Sequence, residues 1–322
     1  MGARDYPQPV NISLRFLRPF LALLSLSWTT SSLPGAAQER ELVRDPHFQN
    51  GFCLLEPKPG KRVVYSELKG LTQAKPVWDL AQWSSKLPLE PSDCLSVSPT
   101  LVCSNSAKRI VVEAPGSSAA DLSLAVNAGA EYSRPRNSAS EPWVHLLVQQ
   151  DFENPPTLGG LGALNFHLEA RLKRSVLVNS NDYSASLHAA QYFVYFTVAN
   201  RNPKAAGYGE CLWFGIPIYD NRHRLVPAYE AQDFGETKLF IFTPASENFA
   251  RRSTHDGDWV TFERNLLPLM HEGLEHAWAK GFIKGSKALG DYQPLGIFIG
   301  WEVPGMFDVD LQVRNLSLRT AK

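Results

Sequence analysis

The sequence predicts an all-β fold: a jelly-roll-like antiparallel β-sandwich with one amphipathic helix packed on it. Three observations carry that prediction. Apolar and polar residues alternate strictly from Leu164 to Lys173, the period-two signature of a strand with one buried and one wet face. Several longer runs are apolar almost throughout, rich in aromatic and β-branched residues, and bounded by Gly, Pro or Asn. A single stretch, 265–281, keeps a helical period.

The elements follow in chain order. Segments 62–67, 108–113, 122–126 and 144–148 read as strands, separated by Pro- and Ser-rich turns such as 133–142 and 154–162. In 164–173, Leu164, Phe166, Leu168, Ala170 and Leu172 face inward. Segments 192–198, 212–219, 239–242 and 295–301 suit central strands buried on both faces. Asn265 caps the helix and Pro268 falls in its tolerated first turn. Leu267, Met270, Leu274, Ala277 and Trp278 form its apolar stripe, and Gly281 ends it. Segment 307–313 alternates again, with Phe307, Val309, Leu311 and Val313 inward. The phase then flips to Leu316 and Leu318, which predicts a β-bulge near Arg314 and Asn315. No repeat or linker interrupts 38–322, so a single β-sandwich domain is expected there.

Arg4, Arg15 and Arg18 precede the apolar run 20–28, and small residues follow to Ala36-Ala37-Gln38. This is the pattern of a secretory signal peptide over 1–37, cleaved after Ala37. The run falls well short of the roughly twenty residues that span a bilayer. A secreted, periplasmic or cell-surface location is expected, with no membrane attachment after cleavage. The chain has 32 Lys+Arg against 32 Asp+Glu; without 1–37 the balance is 29 against 31. No excess positive charge remains to grip nucleic acid or an anionic membrane. Four cysteines remain in an exported chain, which suits two disulfides. Three pairings are open. The short Pro99-containing segment between Cys94 and Cys103 favours joining those two, which leaves Cys53 with Cys211.

Candidate chemistry lies on several strands. His167, Glu169 and Arg171 share the polar side of 164–173, roughly 6.5 Å apart. There Arg could neutralise an acidic sugar and His take a proton. His188, Gln191 and Tyr195 form a second set, and Glu302, Asp308 and Asp310 a third. Paired carboxylates serve glycoside hydrolysis or hold Ca²⁺. Trp143, Trp213 and Trp301 offer flat rings on which sugar C–H faces stack, with Trp301 the best placed. The helix carries His271 and His276, but their spacing sets them about 140° apart around the axis, unsuited to one metal.

The opening Glu41-Leu42-Val43-Arg44-Asp45-Pro46-His47-Phe48-Gln49-Asn50-Gly51 resembles the first strand of jelly-roll carbohydrate-binding modules. The ending from Phe307 to Leu318 is similar to their closing strand, and the chain also looks like uncharacterised exported bacterial β-sandwich proteins. The resemblance implies that the first and last strands pair. It further implies a structural Ca²⁺ near Asp308, although Gln49 stands where those modules carry Glu. No other cofactor is required. The implied function is binding of a poly- or oligosaccharide. The alternatives are a polysaccharide lyase or glycoside hydrolase on the same fold, using some of His167, Glu169, Arg171, His188, Tyr195 and Glu302, and a structural surface or interaction module.

Overall fold

The computed structural model describes residues 39–58, 62–97, 99–116, 120–233 and 237–322. The leader expected over 1–37 lies outside the described residues. In chain order the strands are β1 (Arg40–Glu41), β2 (Gly51–Leu55), β3 (Val64–Lys69), β4 (Trp78–Ala81), β5 (Cys94–Val97), β6 (Thr100–Ser104), β7 (Lys108–Glu113), β8 (Leu122–Asn127) and β9 (Val144–Asp151). Then come β10 (Ala163–Leu177), β11 (Gln191–Asn200), β12 (Cys211–Asp220), β13 (Tyr229–Gln232), β14 (Phe240–Thr243), β15 (Val260–Asn265), β16 (Tyr292–Val303) and β17 (Phe307–Ala321). A short helix α1 (Ala128–Glu131) follows β8, and α2 (Leu267–Ala279) follows β15.

The strands form an eight-stranded sheet, ordered β15-β10-β17-β8-β7-β6-β5 with β1 beside the end of β17, and a nine-stranded sheet, ordered β13-β14-β12-β11-β16-β9-β4-β2-β3. The connectivity is that of a jelly roll. β8 pairs with β17 in the smaller sheet, β9 with β16 in the larger, β10 with β15 in the smaller and β11 with β12 in the larger, all antiparallel. The chain thus folds as one long doubled ribbon that alternates between layers. The first and last strands do pair, β1 on β17. Two short additions depart from a purely antiparallel sandwich: β2 lies parallel to β4, and β14 parallel to β12.

Period-two patterning sets what each sheet buries. Along β10, Leu164, Phe166, Leu168 and Ala170 enter the core, and along β17 Val309, Leu311 and Val313 join them. At Asn315, φ is 56° and the β10–β17 register slips by one residue between His167/Ser317 and Glu169/Arg314. That bulge turns Leu316 and Leu318 inward after the phase flip. From the larger sheet the core takes Tyr192, Val194, Phe196 and Val198 of β11 and Ile297, Ile299 and Trp301 of β16. Helix α2 lies against β12, β14 and β10, burying Leu269, Met270, Gly273, Leu274 and Ala277. Leu267 and Trp278, expected on the stripe, are only partly buried beside it. Asn265 Oδ1 accepts the Leu267 N–H, and Gly281 adopts φ 74° just past the end.

Cys94 and Cys103 stand opposite each other on β5 and β6 and are bonded. Cys53 and Cys211 are free, against the sequence expectation. They sit on β2 and β12, five strand positions apart in one sheet, roughly 24 Å at the usual strand spacing. No helix among the described residues is long and apolar enough to cross a membrane.

Candidate functional site

The outward positions of the larger sheet fall into cross-strand rows. The first row is polar: His145 of β9, Glu302 of β16, Gln191 of β11 and Asp220 of β12 stand side by side. The second row holds Leu147, Gly300, Phe193 and Pro217, and the third Gln149, Phe298, Tyr195 and Gly215. Asp151, Gly296, Thr197 and Trp213 make the fourth. Strands that read as uniformly apolar therefore bury one face and present aromatic rings on the other.

Those rings form one cluster. Phe193 and Tyr195 stack at 5.3 Å between centroids, Tyr195 meets Trp213 edge-on at 6.0 Å, and Trp213 meets Phe298 at 4.9 Å. Gly215 makes the room: a Cβ there would come within 2.8 Å of the Tyr195 ring and 2.5 Å of Thr243 Oγ1. Trp83 and Trp143 both contact the His145 ring at 5.5 Å, extending the aromatic surface beyond the polar row. Two polar atoms on this face, Gln149 Oε1 and Thr243 Oγ1, are shielded from solvent without a hydrogen-bond partner.

The polar row divides into a locked half and an open half. Asp220 accepts from Arg222 Nε at 2.8 Å and Nη2 at 2.6 Å, from the Arg222 backbone N–H at 2.9 Å and from Gln191 Nε2 at 2.7 Å. Burial alone would raise the Asp220 pKa, but these bonds and the Arg222 charge hold it below the usual carboxylate range. Glu302 accepts the Trp143 indole N–H at 3.1 Å, and its other close neighbour is His145 Nε2 at 3.7 Å. His145 Nδ1 lies 2.9 Å from the Trp143 carbonyl oxygen. That carbonyl needs the Nδ1 proton, so the neutral ring aims its Nε2 lone pair towards Glu302. Burial lowers the His145 pKa, with the Glu302 charge pulling the other way.

The structure brings Glu302, Gln191, Tyr195, Trp213 and Trp143 together here, and adds His145, Phe193, Phe298 and Asp220. The remaining candidates stand elsewhere. Trp301 is fully buried, donating its indole N–H to the Leu124 carbonyl at 2.7 Å. It neighbours Glu302 on β16, and alternation lets only one of the two face out. His188 is buried just before β11, where Nδ1 accepts the Ser184 N–H at 2.9 Å and Nε2 donates to the Arg136 carbonyl at 2.7 Å. Both nitrogens are spent on backbone, so it cannot act as a base.

His167, Glu169 and Arg171 share one face as their spacing requires, but it is the outer face of the smaller sheet. Glu169 is held by Arg314 at 2.7 Å and Asn315 at 2.8 Å. Arg171 bonds Gln312 at 2.6 Å and lies 4.8 Å over the Trp259 ring. His167 is 3.7 Å from Glu263 and borders an open groove of about 790 Å³ with His47, Asn165 and Arg319. A cross-strand partner thus occupies the Arg171 guanidinium that the sequence offers to an acidic sugar. Asp308, the calcium candidate, bonds Arg174 Nε at 2.5 Å, and no cluster of three or more His, Cys, Asp or Glu among the described residues could hold a metal.

No family model matches the chain, and no curated protein matches it. Among solved structures, it is similar to the family 12 xyloglucanase from Bacillus licheniformis (TM-score 0.40, 12% identity, covering 72% of this chain and 99% of that one). It is also similar to the family 11 xylanase from Neocallimastix patriciarum (TM-score 0.39, 12% identity, 71% and 94%) and to the endoglucanase Cel12A from Rhodothermus marinus (TM-score 0.36, 10% identity, 74% and 97%).

Proposed function

We propose that this protein is exported and binds a carbohydrate on the outer face of its larger sheet. The observation that carries the proposal is the continuity of two surfaces: the ring cluster of Phe193, Tyr195, Trp213 and Phe298 runs into the polar row of His145, Glu302 and Gln191. Sugar rings need both, flat apolar faces for their C–H sides and fixed polar groups for their hydroxyls. Asp220 is saturated by Arg222 and Gln191, leaving Glu302 as the carboxylate of that row open to a ligand. Hydrolysis by paired acids requires two working carboxyl groups, and this row leaves one open, so binding is favoured over a glycosidase acting through that row.

The test combines a glycan array with assays for new reducing ends and unsaturated products. Binding without product is expected, and Trp213→Ala should weaken it roughly tenfold, with a modestly lowered melting temperature and a cooperative unfolding transition retained. Product formation would favour the enzyme. Absence of any glycan ligand would favour a structural or interaction module.

A further inference from the structure

Resting on the carbohydrate reading above, we propose that the larger sheet's outer face takes an amino sugar, its protonated amine held by Glu302 beside Trp143 and His145, and rejects uronic acids.

Three arginines near this face are already committed. Arg222 spends itself on both oxygens of Asp220, and Arg62 holds Asp79 through bonds of 2.5 and 2.7 Å. Arg136 lies 5.1 Å over the Trp143 ring, but its N–H groups donate to the backbone carbonyls of Glu141, Leu187, Ser138 and Ala139. A sugar carboxylate arriving here meets no open guanidinium among these.

Glu302 is in the opposite position. Among the described residues its only hydrogen bond comes from the neutral Trp143 indole, and the nearest imidazole nitrogen is 3.7 Å away. Burial keeps that imidazole below its ordinary pKa, with Glu302 opposing, so at neutral pH the carboxylate has no cationic partner. Its side chain is 25% exposed, within reach of a ligand. Tyr195 reports the same field: beyond its burial, the charges of Glu302, Asp233 and Asp220 all oppose ionisation of its phenol. A carboxylate partly desolvated among rings favours an ammonium twice over, through a charge-assisted hydrogen bond and through the aromatic faces. Glucosamine differs from glucose only in carrying such an amine in place of one hydroxyl, so the two make a near-isosteric comparison.

The experiment is calorimetric titration of the full chain with β-1,4-linked oligomers of glucosamine and of glucose and α-1,4-linked oligomers of galacturonate, all of equal length, in low salt at about pH 6, where amine and carboxylates are both charged. Glucosamine oligomers should bind about tenfold tighter than glucose oligomers, with galacturonate weakest. The preference should shrink towards parity in Glu302→Gln and with added salt. Glucose or galacturonate binding as tightly as glucosamine, or a preference unchanged in Glu302→Gln, would overturn the amino-sugar assignment and leave the carbohydrate reading standing. Failure of every saccharide to bind would sink both. An unchanged melting temperature certifies the variant as folded; if it has shifted, the salt dependence of the parent protein's preference decides.

Discussion

Asp220 and Glu302 have the same charged group in the same cross-strand row, yet their surroundings give them different work. Asp220 receives four hydrogen bonds, two of them from the Arg222 guanidinium, and is 1% exposed. Its folded-state pKa is depressed, so the stability it contributes is present at neutral pH and is lost as pH falls from the unfolded value through the folded one. Asp220→Asn should therefore lower the melting temperature at neutral pH by several degrees, and the gap to the parent should close in acid. Melting curves across pH check this; a gap that stays constant would mean that Asp220 acts by shape and not by charge. Sequence alone could nominate Glu302, Gln191, Tyr195 and Trp213, because their types suit sugar chemistry. It could not tell Trp301 from Glu302, since which of two neighbours faces outward depends on strand phase.

Among the elements, β10 and β17 were legible because each keeps one wet face, and the bulge at Asn315 was legible as the slip from Val313 to Leu316. Strands β11, β12 and β16 hid their phase. Their outward residues Phe193, Trp213 and Phe298 are as apolar as their inward ones, so the runs suggested burial on both sides. Of the four-residue strands, β4, β5 and β13 are too short to show a period, while β14 was legible only as an apolar run. Helix α2 was visible from its stripe, but its closest approach to the sheet was not. At Gly273 an added Cβ would lie 2.7 Å from the Phe242 ring and 3.1 Å from Leu212. Gly273→Ala gains about 1 kcal/mol of helix propensity but must force the helix off the sheet, at roughly 1–3 kcal/mol. We expect net destabilisation in chemical unfolding. A stabilised variant would show that the helix has slack there.

For the whole molecule, the jelly-roll path separates two outer faces of different character. The smaller sheet's face pairs several of its charges across strands: Arg314 and Asn315 hold Glu169, Gln312 holds Arg171 and Arg174 holds Asp308, with Asp310 Oδ1 left unpartnered. The larger sheet's face keeps partly exposed rings, two unpartnered polar atoms and an open carboxylate. That difference is the central claim, and hydroxyl-radical footprinting with bound oligosaccharide tests it most directly. Protection of Trp213, Tyr195, Phe298 and Trp143, with Trp259 and His167 unchanged, is the predicted result. Protection centred on Trp259 and His167, with the larger sheet's rings unaffected, would contradict it.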